Sequence, residues 1–464
     1  MVQHNPHKNK TKAGDSLKHF DILIIGSGPG GYVAAEEAAR LGNSVGVIEK
    51  EQIGGCCLNV GCIPSKTYLQ YSHWLSSIEA ANRHGLKAKV EDIDFPAIVQ
   101  RKNEVVSTLQ NGIHATFKQN DIEFIQGEAT YIEDHTFVVE GEHYTGKQVL
   151  LATGGHPFVP KIPGLENASY VTTDTFFEIE EFPEKFITIG GGVIAVELAF
   201  AMQKLGANVT VIEVASDILL TVDEDARAFI KQKMKAMGIQ IITNASIKEV
   251  TSDSVVLSDN QSQPFDELLV AAGRQANLGL PMTMELSLEE NQQFVTVDEY
   301  YETNKTGIYA IGDLIGGYTL AHAASAEGTK AVRAMSGAKE KPVPLQSIPR
   351  PLFTNPEVSE FGLSEAAAEE KGYDTVVKQM PFSINGRAIA ADETEGFVKI
   401  ITEKRYHEIL GGVVVGANAT DLLHQIMTVY EAEGTVDELA NTIYAHPTIS
   451  ELIHDTASNI LTTF

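Results

Sequence analysis

All three cysteines of the 464-residue chain stand between positions 56 and 62, in the run Gly54-Gly55-Cys56-Cys57-Leu58-Asn59-Val60-Gly61-Cys62-Ile63-Pro64-Ser65-Lys66. Four residues separate Cys57 from Cys62. A regular helix would hold their Cα atoms roughly 8–9 Å apart, and a disulfide needs less than about 7 Å. Gly61 and Pro64 suit the local distortion that closes such a gap. Lys66 follows Cys62 by one helical turn, where a cation favours a thiolate. Two readings stay open on these residues alone: a redox pair, or two small buried hydrophobes. Zinc has less support, because no second C-x-x-C or paired histidines supply further ligands. Cys56 reads as a bystander, since bridging between adjacent residues is geometrically poor.

A second group with chemical potential lies near the carboxyl terminus, in Ala445-His446-Pro447-Thr448-Ile449-Ser450-Glu451. Thr448 and Glu451 have the T-x-x-E spacing of a capping box at a helix start. Without other information that structural reading is the stronger one.

The elements that must position these residues show themselves as an internal repeat. Residues 22–25 form an apolar run, followed by Gly26-Ser27-Gly28-Pro29-Gly30-Gly31, an alanine-rich stretch, and a second apolar run ending at Glu49. Adding 164 to each number returns the same plan: Gly190, Gly192, Ala195 and Glu213 stand for Gly26, Gly28, Gly31 and Glu49. In a dinucleotide-binding βαβ unit the first glycine makes the tight turn and the second lets backbone approach a pyrophosphate. The third position is small for close packing, and the terminal acid accepts from a ribose diol. After Glu213 come Val214, Ala215, Ser216 and Asp217, with no arginine before Arg227. A 2′-phosphate would meet carboxylates there, which favours NAD over NADP.

Composition narrows the class. With 35 lysines and arginines against 62 acids the net charge is −27, which argues against general nucleic-acid binding. Cysteine usage fits a reducing compartment and no disulfide framework. No segment reads as membrane-spanning; the stretch 186–202 carries Glu197 and three successive glycines and reads as strand, turn and helix. Residues 1–19 are polar, without a signal-peptide core, and read as a disordered lead. The expectation is a cytoplasmic protein of about three domains.

The run GGCCLNVGCIPSK closely resembles the active-site stretch of the flavin-dependent pyridine nucleotide-disulfide oxidoreductases, and of their dihydrolipoamide-oxidising members in particular. The resemblance covers nearly the whole chain after residue 20. Leu151-Ala152-Thr153-Gly154-Gly155, Ala271-Ala272-Gly273-Arg274, Ile308-Tyr309-Ala310-Ile311-Gly312-Asp313, Leu320-Ala321-His322 and the H-P-T-x-S-E run match the family's motifs in order. The resemblance implies an α/β fold with two Rossmann-like domains, for FAD and for NAD, and a carboxyl-terminal α+β dimerisation domain. It implies Cys57 as the interchange thiol, Cys62 as the thiol nearest the flavin, His446 as acid–base in the partner subunit's site, and Glu451 as its orienter. Cofactor contacts are implied for Gly26, Gly28, Gly31, Glu49, Lys66, Gly127, Thr153, Gly154, Asp313 and Ala321 on the FAD side. Gly190, Gly192, Ala195, Glu213 and Gly273 are implied on the NAD side, and Glu197 as a cofactor-site residue that pairs with Lys66 beside the flavin.

The implied domains are 1–155 for FAD, 156–275 for NAD, 276–345 completing the FAD domain, and 346–464 as the interface. Within the last, 397–401 and 409–415 read as strands and 419–431 as a helix, and the acidic stretch 365–371 as a solvated helix face. The implied partners are a second copy, sharing the active site, and the lipoyl domain and acyltransferase core of a 2-oxo acid dehydrogenase complex. The chain departs from the common family pattern at Cys56, where threonine is usual, at Ala195, at Gln275-Ala276 and at Tyr444. Three rivals remain. An NADP-dependent reductase of a small disulfide conflicts with Glu213, and a mercuric-ion reductase would bring a second cysteine pair. A non-catalytic redox sensor or scaffold conflicts with the intact Cys57, Cys62, His446 and Glu451.

Overall fold

A computed structural model describes residues 17–463. The lead expected at 1–19 lies outside the described residues up to position 16. Lys18 and His19, however, already belong to the first strand, paired with Tyr144 and Thr145. Chain contacts divide the molecule into two compact units. One comprises 17–55, Asn111–Gly155 and Ala276–Pro342; the other comprises Cys56–Gln110, His156–Gln275 and 343–463.

The first unit is built on the strand Lys18–Ile25, whose residues Ile22, Leu23, Ile24 and Ile25 are all buried. A continuous apolar run is what a parallel strand covered on both faces requires. It pairs in parallel with Val45–Glu49 on one side and Glu142–Leu151 on the other. The sheet order is Glu123–Gln126, Val45–Glu49, Lys18–Ile25, Glu142–Leu151, Thr136–Val139, Thr130–Glu133, with Ile308–Ala310 also pairing Glu142–Leu151. Helix Pro29–Arg40 buries Ala34, Ala35 and Ala38 and packs against helix Ala321–Met335. The two helices meet so closely that a Cβ on Gly328 would lie 2.5 Å from the Gly30 carbonyl oxygen.

The second unit repeats the plan. Strand Lys185–Ile189, the glycine turn and helix Val193–Leu205 occupy the stretch read as strand, turn and helix. The parallel sheet runs Gln240–Ile242, Asn208–Ile212, Lys185–Ile189, Glu267–Val270, Val171–Thr172. Equivalent backbone bonds recur at the 164-residue offset: Gly26 N–H donates to the Ile48 carbonyl and Gly190 N–H to that of Ile212, both at 2.8 Å.

The same unit holds an antiparallel sheet in the order Arg350–Leu352, Glu357–Gly362, Ile409–Gly416, Phe397–Glu403, Thr375–Pro381. Helix Ala419–Glu431 buries Leu422, Leu423, Ile426 and Met427 in its core. The acidic stretch forms the short helix Glu365–Glu370, with Ala368 buried and the glutamates outward. A buried line of charges crosses between this sheet and the nucleotide-type sheet. Lys399 Nζ reaches Asp223 Oδ1 at 2.8 Å and Asp225 Oδ2 at 2.7 Å. Asp223 N–H donates to Glu360 Oε2 at 2.8 Å, and Arg350 Nε donates to Glu360 Oε1 at 2.9 Å. Asp223 is also the N-cap of helix Glu224–Ala236.

Candidate active site and nucleotide cradles

Helix Gly55–Asn59 stops short, and helix Cys62–Arg83 begins after a break. Gly61 makes that break with φ −125° and ψ −110°. A Cβ there would sit 3.1 Å from the Cys56 carbonyl oxygen and 3.2 Å from the Cys57 Cα, so the turn folds directly onto the first two cysteines. The distance that a continuous helix would impose is thereby removed. Cys57 and Cys62 are free thiols that share a side-chain hydrogen bond.

The pair is electrically unequal. Cys62 is lowered to about 7, first because Cys57 donates a hydrogen bond to it and further because Lys66 is near, against burial and Glu197. Cys57 is pushed well above the ordinary thiol range by that same bond and by burial. Lys66 Nζ lies 2.7 Å from Glu197 Oε2 and 4.5 Å from the centre of the Phe353 ring. Glu197 is 3% exposed, and its other oxygen accepts the Phe353 N–H at 2.8 Å. The ammonium is thus held in place by a fixed carboxylate and a ring face. Asn59 is held from the long helix Phe95–Gln119 by Gln110, whose Nε2 donates to Asn59 Oδ1 at 2.6 Å. Cys56 Sγ lies 3.5 Å from Asp174 Oδ1.

Each unit has one cradle. In the first, Gly26 has φ +102°, and a Cβ would meet the Ala152 carbonyl oxygen at 2.3 Å. Gly28 is the N-cap of helix Pro29–Arg40 with no side-chain cap, and a Cβ on it would meet nothing within 4 Å. Open space therefore lies over uncapped helix N–H groups, the place for an anion. Glu49 is buried, accepting from Ser27 N–H at 2.8 Å and Glu51 N–H at 2.8 Å. Gly127 N–H donates to the Glu49 carbonyl. Among the described residues, the Thr153 hydroxyl is buried without a hydrogen-bond partner. Open cradle and orphaned hydroxyl both fit a bound dinucleotide in this unit.

Gly154 follows Thr153, and Asn277 bonds both of their carbonyls. Asp313 lies in the turn Gly312–Leu314, and Ala321 opens helix Ala321–Met335. Glu327 Oε2 accepts the Gly312 N–H at 2.7 Å; burial pushes this carboxyl up to about 7, and Asp313 adds to the shift.

In the second cradle Gly190 and Gly192 repeat the geometry of Gly26 and Gly28. Ala195, 1% exposed, is accommodated at the third position. Glu213 accepts from Gly191 N–H at 2.6 Å and Ala215 N–H at 2.7 Å. Arg227 and Lys231 both face Asp217. Gly273 accepts from Phe158 N–H through its carbonyl.

His446 Nδ1 lies 2.9 Å from Glu451 Oε1, and the imidazole is 81% exposed. Glu451 is held below the usual carboxyl range by the Thr448 N–H, then by His446. The expected capping box forms only by half. Glu451 accepts the Thr448 N–H at 2.8 Å, but the Thr448 hydroxyl donates to the Ala445 carbonyl, and Ser450 takes the N-cap position. The hydroxyl is used in the turn, so the carboxylate faces both a backbone amide and the imidazole.

Asp174, Phe353, Gln110 and Glu327 escaped sequence reasoning. Asp174 stands 118 residues from Cys56, and Phe353 stands 156 from Glu197, so no local spacing announces either contact.

Residues 20–328 match the family model for pyridine nucleotide-disulphide oxidoreductase, and residues 348–457 match that family's dimerisation domain. Dihydrolipoyl dehydrogenase of Geobacillus stearothermophilus is 36% identical over 468 residues, covering 97% of this chain and 98% of that protein. The crystal structure of LpdA from Mycobacterium tuberculosis aligns with a TM-score of 0.88 at 26% identity, over 96% of this chain and 99% of that one. The Cu(II) complex of the HOCl-induced flavoprotein disulfide reductase RclA from Escherichia coli aligns with a TM-score of 0.85 at 28% identity, over 95% and 99%. Among the described residues no helix is long and apolar enough to cross a membrane. With its paired thiols, its two glycine cradles and a match along nearly all of its length, the chain belongs to the pyridine nucleotide-disulphide oxidoreductase family of FAD-dependent enzymes.

Proposed function

We propose that this chain reoxidises protein-bound dihydrolipoamide with NAD, as the flavoprotein component of a 2-oxo acid dehydrogenase complex. The observation that carries the reading is the geometry around the two thiols: the break at Gly61 folds onto Cys56 and Cys57, and the Lys66 ammonium, fixed by Glu197, favours the Cys62 thiolate. A thiolate attacks a disulfide at the sulfur whose partner leaves best, and the lower-pKa thiol leaves faster. With Lys66 favouring the Cys62 anion, attack falls on Cys57 and Cys62 departs as the thiolate.

His446, oriented by Glu451, takes the proton from the substrate thiol, because the thiolate is the nucleophile. The first substrate sulfur bonds to Cys57 Sγ as the Cys57–Cys62 bond breaks. The second substrate sulfur then attacks the first, closing the lipoyl disulfide and releasing the Cys57 thiol. Two electrons and two protons leave the substrate, and the protein dithiol holds the electron pair. FAD would be held by the cradle of Gly26, Gly28, Gly31 and Glu49 with Gly127, Thr153, Gly154, Asp313, Ala321 and Lys66; when bound it supplies the two-electron link between a dithiol and a nicotinamide. Gly190, Gly192, Ala195, Glu213 and Gly273 would serve the nicotinamide nucleotide, and Glu197 would hold Lys66 as its ion-pair partner on the flavin side. NAD is favoured because Glu213 presents a carboxylate where a 2′-phosphate would sit, while the nearby Arg227 and Lys231 are engaged with Asp217.

In this reading 1–155 and 276–345 form the FAD domain, 156–275 the NAD domain and 346–464 the dimer interface, across which His446 enters the partner's site. Its 81% exposure suits a group completed by a second copy. Likeness to a flavoprotein disulfide reductase at 28% identity supports a second reading, reduction of another small disulfide.

One assay separates the two: NADH and NADPH, each offered with lipoamide and with oxidised glutathione, followed by nicotinamide absorbance. NADH with lipoamide is expected to be the fastest of the four combinations. NADPH with glutathione as the fastest would overturn both nucleotide and substrate.

A further inference from the structure

The third cysteine takes no part in the disulfide exchange, yet two distant segments of the chain converge on it. Asp174 Oδ1 lies 3.5 Å from Cys56 Sγ, 3.0 Å from Arg274 Nη1 and 3.4 Å from Thr173 Oγ1. Thr173 and Asp174 follow the edge strand Val171–Thr172, and Arg274 lies beyond its neighbour Glu267–Val270, so the redox loop is tied to the residues that follow two adjacent strands of the nucleotide-type sheet. A carboxylate oxygen accepts and does not donate, so the group at position 56 must supply the hydrogen. A thiol is a weak donor, and a charged acceptor is the partner that makes its bond count.

The backbone of the same residue carries the turn. The Cys56 carbonyl accepts the Val60 N–H at 2.9 Å, closing the short helix, and Gly61 lies directly over that carbonyl. Moving Cys56 therefore moves Gly61, and with it the start of the helix that presents Cys62. We propose that Cys56 is a positioning residue of the redox loop: its S–H donates to Asp174, anchoring the turn that brings Cys57 and Cys62 together, and it stays outside the electron-carrying pair. The inference rests on the reading of Cys57 and Cys62 as that pair. Burial, with Asp174 beside it, pushes the Cys56 thiol up to about 12 against the pull of Arg274. The sulfur therefore stays protonated and a poor nucleophile at neutral pH.

The test has two parts. The oxidised holoprotein is alkylated with iodoacetamide at pH 8, unfolded, and alkylated again with a heavier reagent. Fragmentation of the 51–66 tryptic peptide then locates each label. A Cys57–Cys62 disulfide with Cys56 labelled only after unfolding supports the proposal. Cys56 in any disulfide, or labelled in the native protein, overturns it. Absence of a Cys57–Cys62 disulfide overturns the redox-pair reading itself, and this inference with it.

The second part times disulfide closure in reduced holoprotein by quenched alkylation, with thermal midpoints recorded for every variant. C56A is expected to slow closure by about three- to tenfold, the scale of one ordinary hydrogen bond, as suits a weak thiol donor. C56S and C56T, which keep a donor, are expected to restore it. Unchanged closure in C56A overturns the positioning role alone and leaves the pair intact. Slow closure in C56A that neither hydroxyl variant rescues overturns donation to Asp174.

Discussion

At Cys62 the sulfur receives a hydrogen bond from Cys57 and feels the Lys66 ammonium, and both favour the anion over the thiol. In reduced protein, the alkylation rate of Cys62 should therefore rise through an inflection below that of an ordinary thiol. Removing the cation in K66M costs the anion its support and leaves the neutral thiol untouched, so the inflection should move upward. Peptide-resolved labelling across pH reads both outcomes, and a profile that K66M leaves in place would remove Lys66 from thiol tuning. How much of this was legible depends on distance along the chain. Cys57, Cys62 and Lys66 lie within one short run, and their types alone suggest the chemistry. The Phe353 amide and ring that hold Glu197 and Lys66 in place carry no local signal, because an apolar residue there reads as core.

Strand–turn–helix elements were the most readable part of the fold, because glycine spacing and apolar runs are properties of contiguous sequence. Two glycines of the first cradle make a contrast that can be measured. Gly26 has φ +102° and a carbonyl 2.3 Å from where a Cβ would go, whereas Gly28 has open space. G26A should lose about 2 kcal/mol or more of stability from backbone conformation and clash. G28A should stay within about 0.5 kcal/mol of the parent in thermal unfolding, yet retain FAD at least about tenfold more weakly, since its methyl group fills the approach to the helix amides. Flavin absorbance after gel filtration, read beside the melting curve, separates the two. Equal losses in both variants would show that the open space serves no ligand. Less legible was the break between the helices Gly55–Asn59 and Cys62–Arg83. Gly61 hints at it, but its place over Cys56 is a property of the fold. The capping box misled for a related reason: the spacing of Thr448 and Glu451 is right, but the Thr448 hydroxyl found the Ala445 carbonyl instead.

For the molecule as a whole, His446 and Ile443, three positions before it, are both exposed, at 81% and 97%, which the shared-site reading requires. If the site is shared, a mixed dimer of C57S and H446A contains one site with both defects and one with none. Differently tagged and isolated as the heterodimer, it should show about half the parent rate, while each mutant homodimer shows almost none. A silent heterodimer would place cysteines and histidine in the same subunit. The line of charges from Arg350 through Glu360 and Asp223 to Lys399 has a separate consequence. Breaking a buried ion pair leaves its partner unsatisfied, at roughly 3–5 kcal/mol. The nucleotide-type module around Asp223 is therefore not a free-standing cassette. Transplanted into another protein without Glu360 and Lys399, it would keep the cap that Asp223 makes on its own helix but lose the buried cation facing that carboxylate and the acceptor of the Asp223 amide, and the recipient would have to provide both.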